Sequence, residues 1–70
     1  MIEELFDYLS QYYQIHVILD GDVKSQYGFS FGVKGKVYTV IFHESMVNTI
    51  KPISFRTDFL STIHEFNTRN

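Results

Sequence analysis

The sequence has no cysteine, no tryptophan, a single proline and no long apolar run. Without cysteine, neither a disulfide nor a thiolate metal site can stabilise the fold. No apolar segment approaches the roughly 20 residues that a membrane-spanning helix needs. The first residues are acidic and amphipathic rather than basic and then apolar, so no signal peptide is expected. These absences predict a cytoplasmic protein that does not enter a membrane.

The sequence also lacks a large excess of charge of either sign. Six basic and eight acidic residues give a formal net charge of -2, so there is no strong basic field to attract nucleic acid. Seventy residues indicate one domain, and a chain of this length buries only about 60% of its unfolded surface. Seven Phe and five Tyr must supply much of the core. We expect more aromatic surface than so small a core can hide, which favours a partner or self-association.

Residues 26–44 (QYGFSFGVKGKVYTVIFHE) have the period-2 alternation of a β-hairpin. Lys34 and Gly35 form its predicted two-residue turn, because Gly35 readily takes a positive φ. A three-residue loop with a bulge is the alternative and would change the pairing. The two-residue turn predicts three cross-strand pairs on one face: Phe31 with Tyr38, Phe29 with Val40, and Tyr27 with Phe42. The other face is small and half polar, either exposed or approached closely by another backbone: Gly28, Ser30, Gly32, Val37, Thr39 and Ile41.

Residues 2–13 are predicted to form an amphipathic helix. Its apolar stripe consists of Ile2, Leu5, Phe6, Leu9 and Tyr13. Residues 15–20 (IHVILD) are predicted to form a short strand covered on both sides. One face of that strand consists of Ile15, Val17 and Leu19, and the other of His16 and Ile18. A turn follows at residues 20–22, where Gly21 supplies backbone freedom.

Residues 45–53 fit no single pattern, and we expect an irregular loop, with one helical turn or a short edge strand as alternatives. Pro52 ends this stretch because it disfavours helix at the residue before it. Ser54 is the predicted cap of a last helix, and residues 67–70 are expected to fray. The apolar stripe of this helix consists of Phe55, Phe59, Leu60, Ile63 and Phe66. The predicted fold is α+β, with a three-stranded antiparallel sheet between two helices that pack on one of its faces.

No catalytic or metal-binding motif is found. His16, His43 and His64 are isolated, and the H-E-x-x-H spacing that places two ligands on one helix is absent. No G-x-S-x-G elbow presents a nucleophile. The hairpin glycines open no helix and so cannot form a phosphate-binding nest there. The sequence predicts a protein that is not an enzyme and that holds neither a metal nor a cofactor.

The order of one helix, three strands and one helix is similar to that of the double-stranded-RNA-binding domain, as is the chain length. That family opens its second helix with a lysine cluster that contacts phosphates. The corresponding residues 54–58 read Ser-Phe-Arg-Thr-Asp, so only Arg56 matches in charge. Lys24, Lys34 and Lys36 could add a small basic rim. The resemblance therefore implies, as an alternative function, weak and salt-sensitive binding of double-stranded RNA.

The first hypothesis is a small, non-enzymatic module that binds a protein and regulates it. Small, cysteine-free, aromatic-rich chains without a catalytic site are often accessory modules, including phage-encoded inhibitors of host machinery. Tyr8 and Tyr12, four residues apart on the first helix, are the preferred contact residues, since tyrosine is enriched at interfaces. The alternative is that both form an edge of the core and keep only their hydroxyls in water. Ser30, Thr39 and Ile41 on the second sheet face come next. Self-association into a homodimer, through that face or an open sheet edge, is part of this hypothesis.

The predicted register makes Phe29 and Phe31 core residues of the hairpin. We expect Phe29→Ala or Phe31→Ala to cost about 3–5 kcal/mol of unfolding free energy, enough to unfold a marginally stable small domain. Thermal or chemical denaturation measures the loss. A folded variant with an almost unchanged melting temperature would contradict this register.

Overall fold

The protein, described here over residues 1–69 by a computed structural model, is an α+β domain built on a three-stranded antiparallel sheet. The elements in chain order are α1 (Ile2–Leu9), β1 (Ile15–Asp20), β2 (Gly28–Val33), β3 (Lys36–Phe42), α2 (Val47–Ile50) and α3 (Ile53–Arg69). A 3-10 turn (Glu44–Met46) precedes α2. The buried faces of α1 and α3 pack on one side of the sheet, so the predicted fold class is confirmed.

The hairpin turn forms at Lys34 and Gly35 as predicted. Both residues have a positive φ, 51° and 82°, as a type I′ turn requires. The resulting register pairs Phe31 with Tyr38 and Phe29 with Val40. Beyond the strand ends, the Phe42 amide donates to the Tyr27 carbonyl at 2.8 Å, which continues the same register. The three predicted pairs are therefore confirmed, and their side chains face the helices.

The sheet order is β1-β3-β2, which the sequence left open. Because β1 and β2 are both antiparallel to the central β3, they run parallel to each other. The connection between them, residues 21–27, must cross β3, and we call it the crossover segment. Gly21 begins it with φ of 92°, a left-handed conformation that favours glycine. The segment crosses the sheet on the face that the helices leave uncovered, where it contacts Thr39.

The predicted faces of β1 are wrong, because the strand has a β-bulge at His16. Ile15 pairs with Phe42 and Val17 pairs with Ile41, which leaves His16 as the extra residue. The extra residue reverses the alternation after it. Ile15 and Ile18, three residues apart, are therefore both buried, whereas the unbroken alternation predicted them on opposite faces.

The first helix is shorter than predicted and ends at Leu9 instead of residue 13. The Ser10 amide still donates to the Phe6 carbonyl at 2.9 Å, and its hydroxyl donates to the same oxygen at 2.7 Å. The pattern changes after Ser10, because the Gln11 and Tyr12 amides donate to carbonyls three residues back. The Tyr13 amide donates to the Leu9 carbonyl at 2.9 Å in the turns that follow. These turns carry Tyr13 to the core beside the start of β1, so it belongs to the predicted apolar stripe without being helical.

The segment predicted as an irregular loop is helical, with the 3-10 turn followed by α2. Gln14 contacts the start of this segment, because the Ser45 hydroxyl donates to the Gln14 side-chain oxygen at 2.7 Å and the Gln14 amide donates to the Met46 sulfur at 3.1 Å. The predicted cap of the last helix is wrong: Ser54 lies inside α3, and the Pro52 carbonyl accepts from the Phe55 amide at 3.1 Å. Residues 67–69, which were expected to fray, belong to α3, and Asn70 lies outside the described residues.

Aromatic side chains form the centre of the core. The Tyr13 ring centroid lies 5.3–6.0 Å from those of Phe42, Phe55 and Phe59, in edge or tilted contacts. Among the Phe and Tyr residues, all of which lie within residues 1–69, Tyr12 alone is exposed. The prediction that the chain has more aromatic surface than its core can hide is therefore wrong. None of the described helices is long and apolar enough to cross a membrane.

Gly28 is the position on β2 where the fold tolerates no side chain. A Cβ there would lie 2.3 Å from the Val40 carbonyl oxygen, which belongs to the central strand and cannot rotate away. We expect Gly28→Ala to lower the unfolding free energy by about 1–3 kcal/mol or more, as measured by chemical denaturation.

Gly32 on the same strand supplies the matched control. A Cβ at Gly32 would meet only the Lys36 carbonyl oxygen, at an ordinary 3.8 Å. We expect Gly32→Ala to change stability by less than about 0.5 kcal/mol. Equal losses in the two variants would show that glycine matters in β2 for a reason other than close approach.

Candidate functional site

The crossover segment covers much of the sheet face that the sequence offered as a contact surface. Thr39 is only 1% exposed. Its hydroxyl donates to the Gly21 carbonyl at 2.7 Å and accepts from the Val23 amide at 2.8 Å. Ser30 is half-buried, and its hydroxyl donates to the Asp22 carboxylate at 2.5 Å. The sequence predicted that this face is either exposed or approached closely by another backbone. Around Thr39 the structure shows the second arrangement.

Ile41, the third residue proposed on this face, is half-buried and pairs with Val17 of β1. Among the three residues, Thr39 stabilises the fold by holding the crossover segment. The sequence offered no signal for this, because a Thr in an alternating strand has the same pattern whether water or backbone lies above it.

The two tyrosines proposed as contact residues lie in different environments. Tyr8 is 7% exposed and Tyr12 is 57% exposed, and their ring centroids are 5.5 Å apart. Burial and the neighbouring Tyr12 raise the pKa of Tyr8, while Arg69, whose guanidinium lies 5.5 Å from the Tyr8 ring centroid, acts in the opposite direction. Tyr8 therefore belongs to the core between α1 and α3, and only Tyr12 presents its ring to solvent.

The basic residues of the nucleic-acid alternative are exposed, and only Lys34 and Lys36, on either side of Gly35 at the hairpin tip, are neighbours. Arg56 lies over the Phe29 ring, 4.9 Å from its centroid. Lys34 is at the hairpin tip, where its amide donates to Asn67 near the other end of α3. Lys36 lines a depression together with Glu3 and Asp20, among other residues. Lys24 is in the crossover segment on the opposite sheet face. A continuous basic stripe, which nucleic-acid binding favours, is not formed by these four residues.

The outer edge of β2 carries backbone groups that point away from the sheet. The Phe42-to-Tyr27 hydrogen bond sets the phase of the ladder. Residues 29, 31 and 33 then exchange hydrogen bonds with β3, and the alternate residues do not. The N–H and C=O groups of Gly28, Ser30 and Gly32 therefore point outward, in the geometry that accepts another strand.

Leu60 lies beside this edge and was wrongly predicted to be in the core. It is 44% exposed. It follows Arg56 by four residues and precedes Asn67 by seven, so the three share one face of α3. Arg56 contacts Phe29 and Asn67 contacts the end of β2, which places Leu60 next to the strand between them. We call the outward backbone of β2 together with Leu60 the β2 edge surface.

Ile53 extends the β2 edge surface toward the start of α3. It is 84% exposed and precedes Leu60 by seven residues, which places both on the same side of the helix. An apolar side chain this exposed contributes nothing to the core. The sequence pattern could have identified Ile53, because it is apolar and is not part of the apolar stripe predicted for the last helix.

Within residues 1–69, no group of three or more His, Asp or Glu side chains is arranged to hold a metal ion. His64 is exposed on α3, whereas His16 and His43 have ring centroids 5.5 Å apart. No protein-family model matches the chain, and no curated protein or solved structure is significantly similar to it. Function must therefore be inferred from the geometry of this chain.

The Thr39 hydroxyl should be the main polar anchor of the crossover segment. Thr39→Val keeps the shape but leaves the Gly21 carbonyl and the Val23 amide without this partner, so we expect a loss of about 1–3 kcal/mol. Hydrogen exchange at the Val23 amide should accelerate.

Thr57→Val is the control, because the Thr57 hydroxyl is exposed and donates only to the Ile53 carbonyl within its own helix. Its expected effect is below about 0.5 kcal/mol. If Thr39→Val were no more damaging than Thr57→Val, the crossover segment would be held by other contacts.

Proposed function

We propose that the protein is a non-enzymatic protein-binding module that acts by strand addition at the β2 edge surface, and that it self-associates into a homodimer through this edge. The observation that carries the proposal is the row of outward backbone groups on β2, flanked by exposed Leu60 on α3. Binding of this kind, without catalysis, suits an accessory or regulatory protein.

Strand addition uses backbone hydrogen bonds for affinity and neighbouring side chains for specificity. The β2 edge surface supplies both, since Gly28, Ser30 and Gly32 present donors and acceptors and Leu60 presents apolar surface beside them. The small side chains at these three strand positions also leave room for an approaching backbone. The two glycines have none, and the Ser30 hydroxyl is turned toward Asp22.

The edge is complementary to itself when two copies meet antiparallel. With a two-fold axis at Ser30, Gly28 of one copy faces Gly32 of the other, and Phe29 faces Phe31. Such an isologous arrangement uses the same surface on both copies and closes at a dimer. The product would be a continuous six-stranded sheet, which removes both β2 edges from water.

The position of α3 fits the same axis. From Arg56 to Asn67 the helix advances about 16 Å at 1.5 Å per residue, and from Phe29 to Lys34 the strand advances about 16 Å at 3.3 Å per residue. The two elements therefore run side by side in the same direction. Leu60, about 6 Å along α3 from Arg56, is level with Ser30 and Phe31. An axis at Ser30 thus places Leu60 of the two copies close to each other.

A charge at Leu60 should separate the two copies. We expect the wild type to approach twice its chain mass of 8.3 kDa as its concentration rises, and Leu60→Lys to remain monomeric, because two lysines near the axis repel each other. Sedimentation equilibrium measures the mass, and circular dichroism verifies that each variant is folded.

Val37→Lys is the matched control. Val37 is 47% exposed, close to the value for Leu60, but it lies on the face of β3 away from the helices. This variant should dimerise like the wild type. A monomeric wild type at about millimolar concentration, or a dimer that tolerates Leu60→Lys, would refute the proposed self-association.

A further inference from the structure

Two histidines that are distant in sequence lie together at one end of the sheet. His16 is the extra residue of the bulge in β1, and His43 directly follows β3. Their ring centroids are 5.5 Å apart and the ring planes are at 82°. Both side chains are exposed, so neither is needed to fill the core. The bulge creates the pair, because it releases His16 from the pairing that Ile15 and Val17 make with β3.

The separation of the rings matches that of two imidazoles bound to one metal ion. A metal 2.0–2.1 Å from a ring nitrogen lies roughly 3.2 Å from the centroid of that ring. Two such rings at a tetrahedral angle have centroids roughly 5.2 Å apart. The observed distance is within a few tenths of an ångström of this value. Both side chains are exposed and can rotate to turn one nitrogen of each ring toward a shared ion.

We propose that His16 and His43 form a two-ligand site for a divalent transition metal of the class that prefers imidazole: zinc, copper or nickel. Water completes the coordination, since no third His, Asp or Glu of residues 1–69 joins the pair. The site is on the β1 side of the sheet, away from the β2 edge surface. It therefore does not depend on the proposed self-association.

The three histidines of the chain make a direct test possible by NMR. On titration with zinc chloride, the ring resonances of His16 and His43 should shift together and saturate at one ion per chain, while those of His64 stay in place. Equal shifts of all three, or none up to millimolar zinc, would overturn the proposal.

Single substitutions give the second readout. His16→Ala and His43→Ala should each weaken zinc binding in calorimetry by at least about tenfold, because the second ligand binds intramolecularly and its loss removes that advantage. His64→Ala should leave the affinity unchanged. The three positions are exposed, so all variants are expected to fold, and circular dichroism verifies this. Wild-type affinity in either of the first two variants would refute a two-ligand site.

Discussion

The register of the β2–β3 hairpin is the constraint on which the rest of the molecule depends. The turn at Lys34 and Gly35 sets it, because only one pairing is compatible with two residues of positive φ between the strands. A shift by one residue would turn every aromatic side chain of the hairpin to the other face. The same register decides which backbone groups of β2 point outward, so the core and the β2 edge surface have one common origin.

The aromatic core changes the argument for association. A surplus of exposed rings would have favoured a partner in general without indicating where it binds. The structure buries or half-buries every Phe and Tyr ring but that of Tyr12, so exposed hydrophobic surface from these rings does not support binding. The support comes instead from backbone polar groups at an open strand edge and from Leu60 and Ile53, which are apolar without being part of the core.

Local chemistry explains which features the sequence could predict. The hairpin turn, its register and the bounds of β1 depend on neighbouring residues, and all three were predicted correctly. The position of β1 beside β3 depends on a contact between distant segments, and no pattern within β1 encodes it. The bulge at His16 was missed for the same reason, because it is defined by how β1 pairs with β3 and leaves no pattern within β1 itself. The end of α1 was missed because the apolar spacing continues to Tyr13, although the helix ends at Leu9 and gives way to turns.

The candidate site was predicted less well than the fold because exposure depends on what packs above a residue. Tyr8 and Thr39 have patterns typical of a surface, yet Phe66 packs against the first and the crossover segment covers the second. Leu60 shows the opposite error. It fits the apolar stripe of α3 by spacing, but the sheet ends at β2, and residues 1–69 leave it 44% exposed.

The two edges of the sheet differ in a way that favours β2 as the binding edge. β1 carries a bulge at His16 and ends in Asp20, and both features are devices by which proteins protect an edge from unwanted pairing. β2 has no charged residue, no proline and no irregularity in its pairing between Gly28 and Val33. A chain that protects one edge and leaves the other regular has an asymmetric capacity for strand addition. In the proposed dimer through β2, only the protected β1 edges would stay exposed, so we expect assembly to close at a pair.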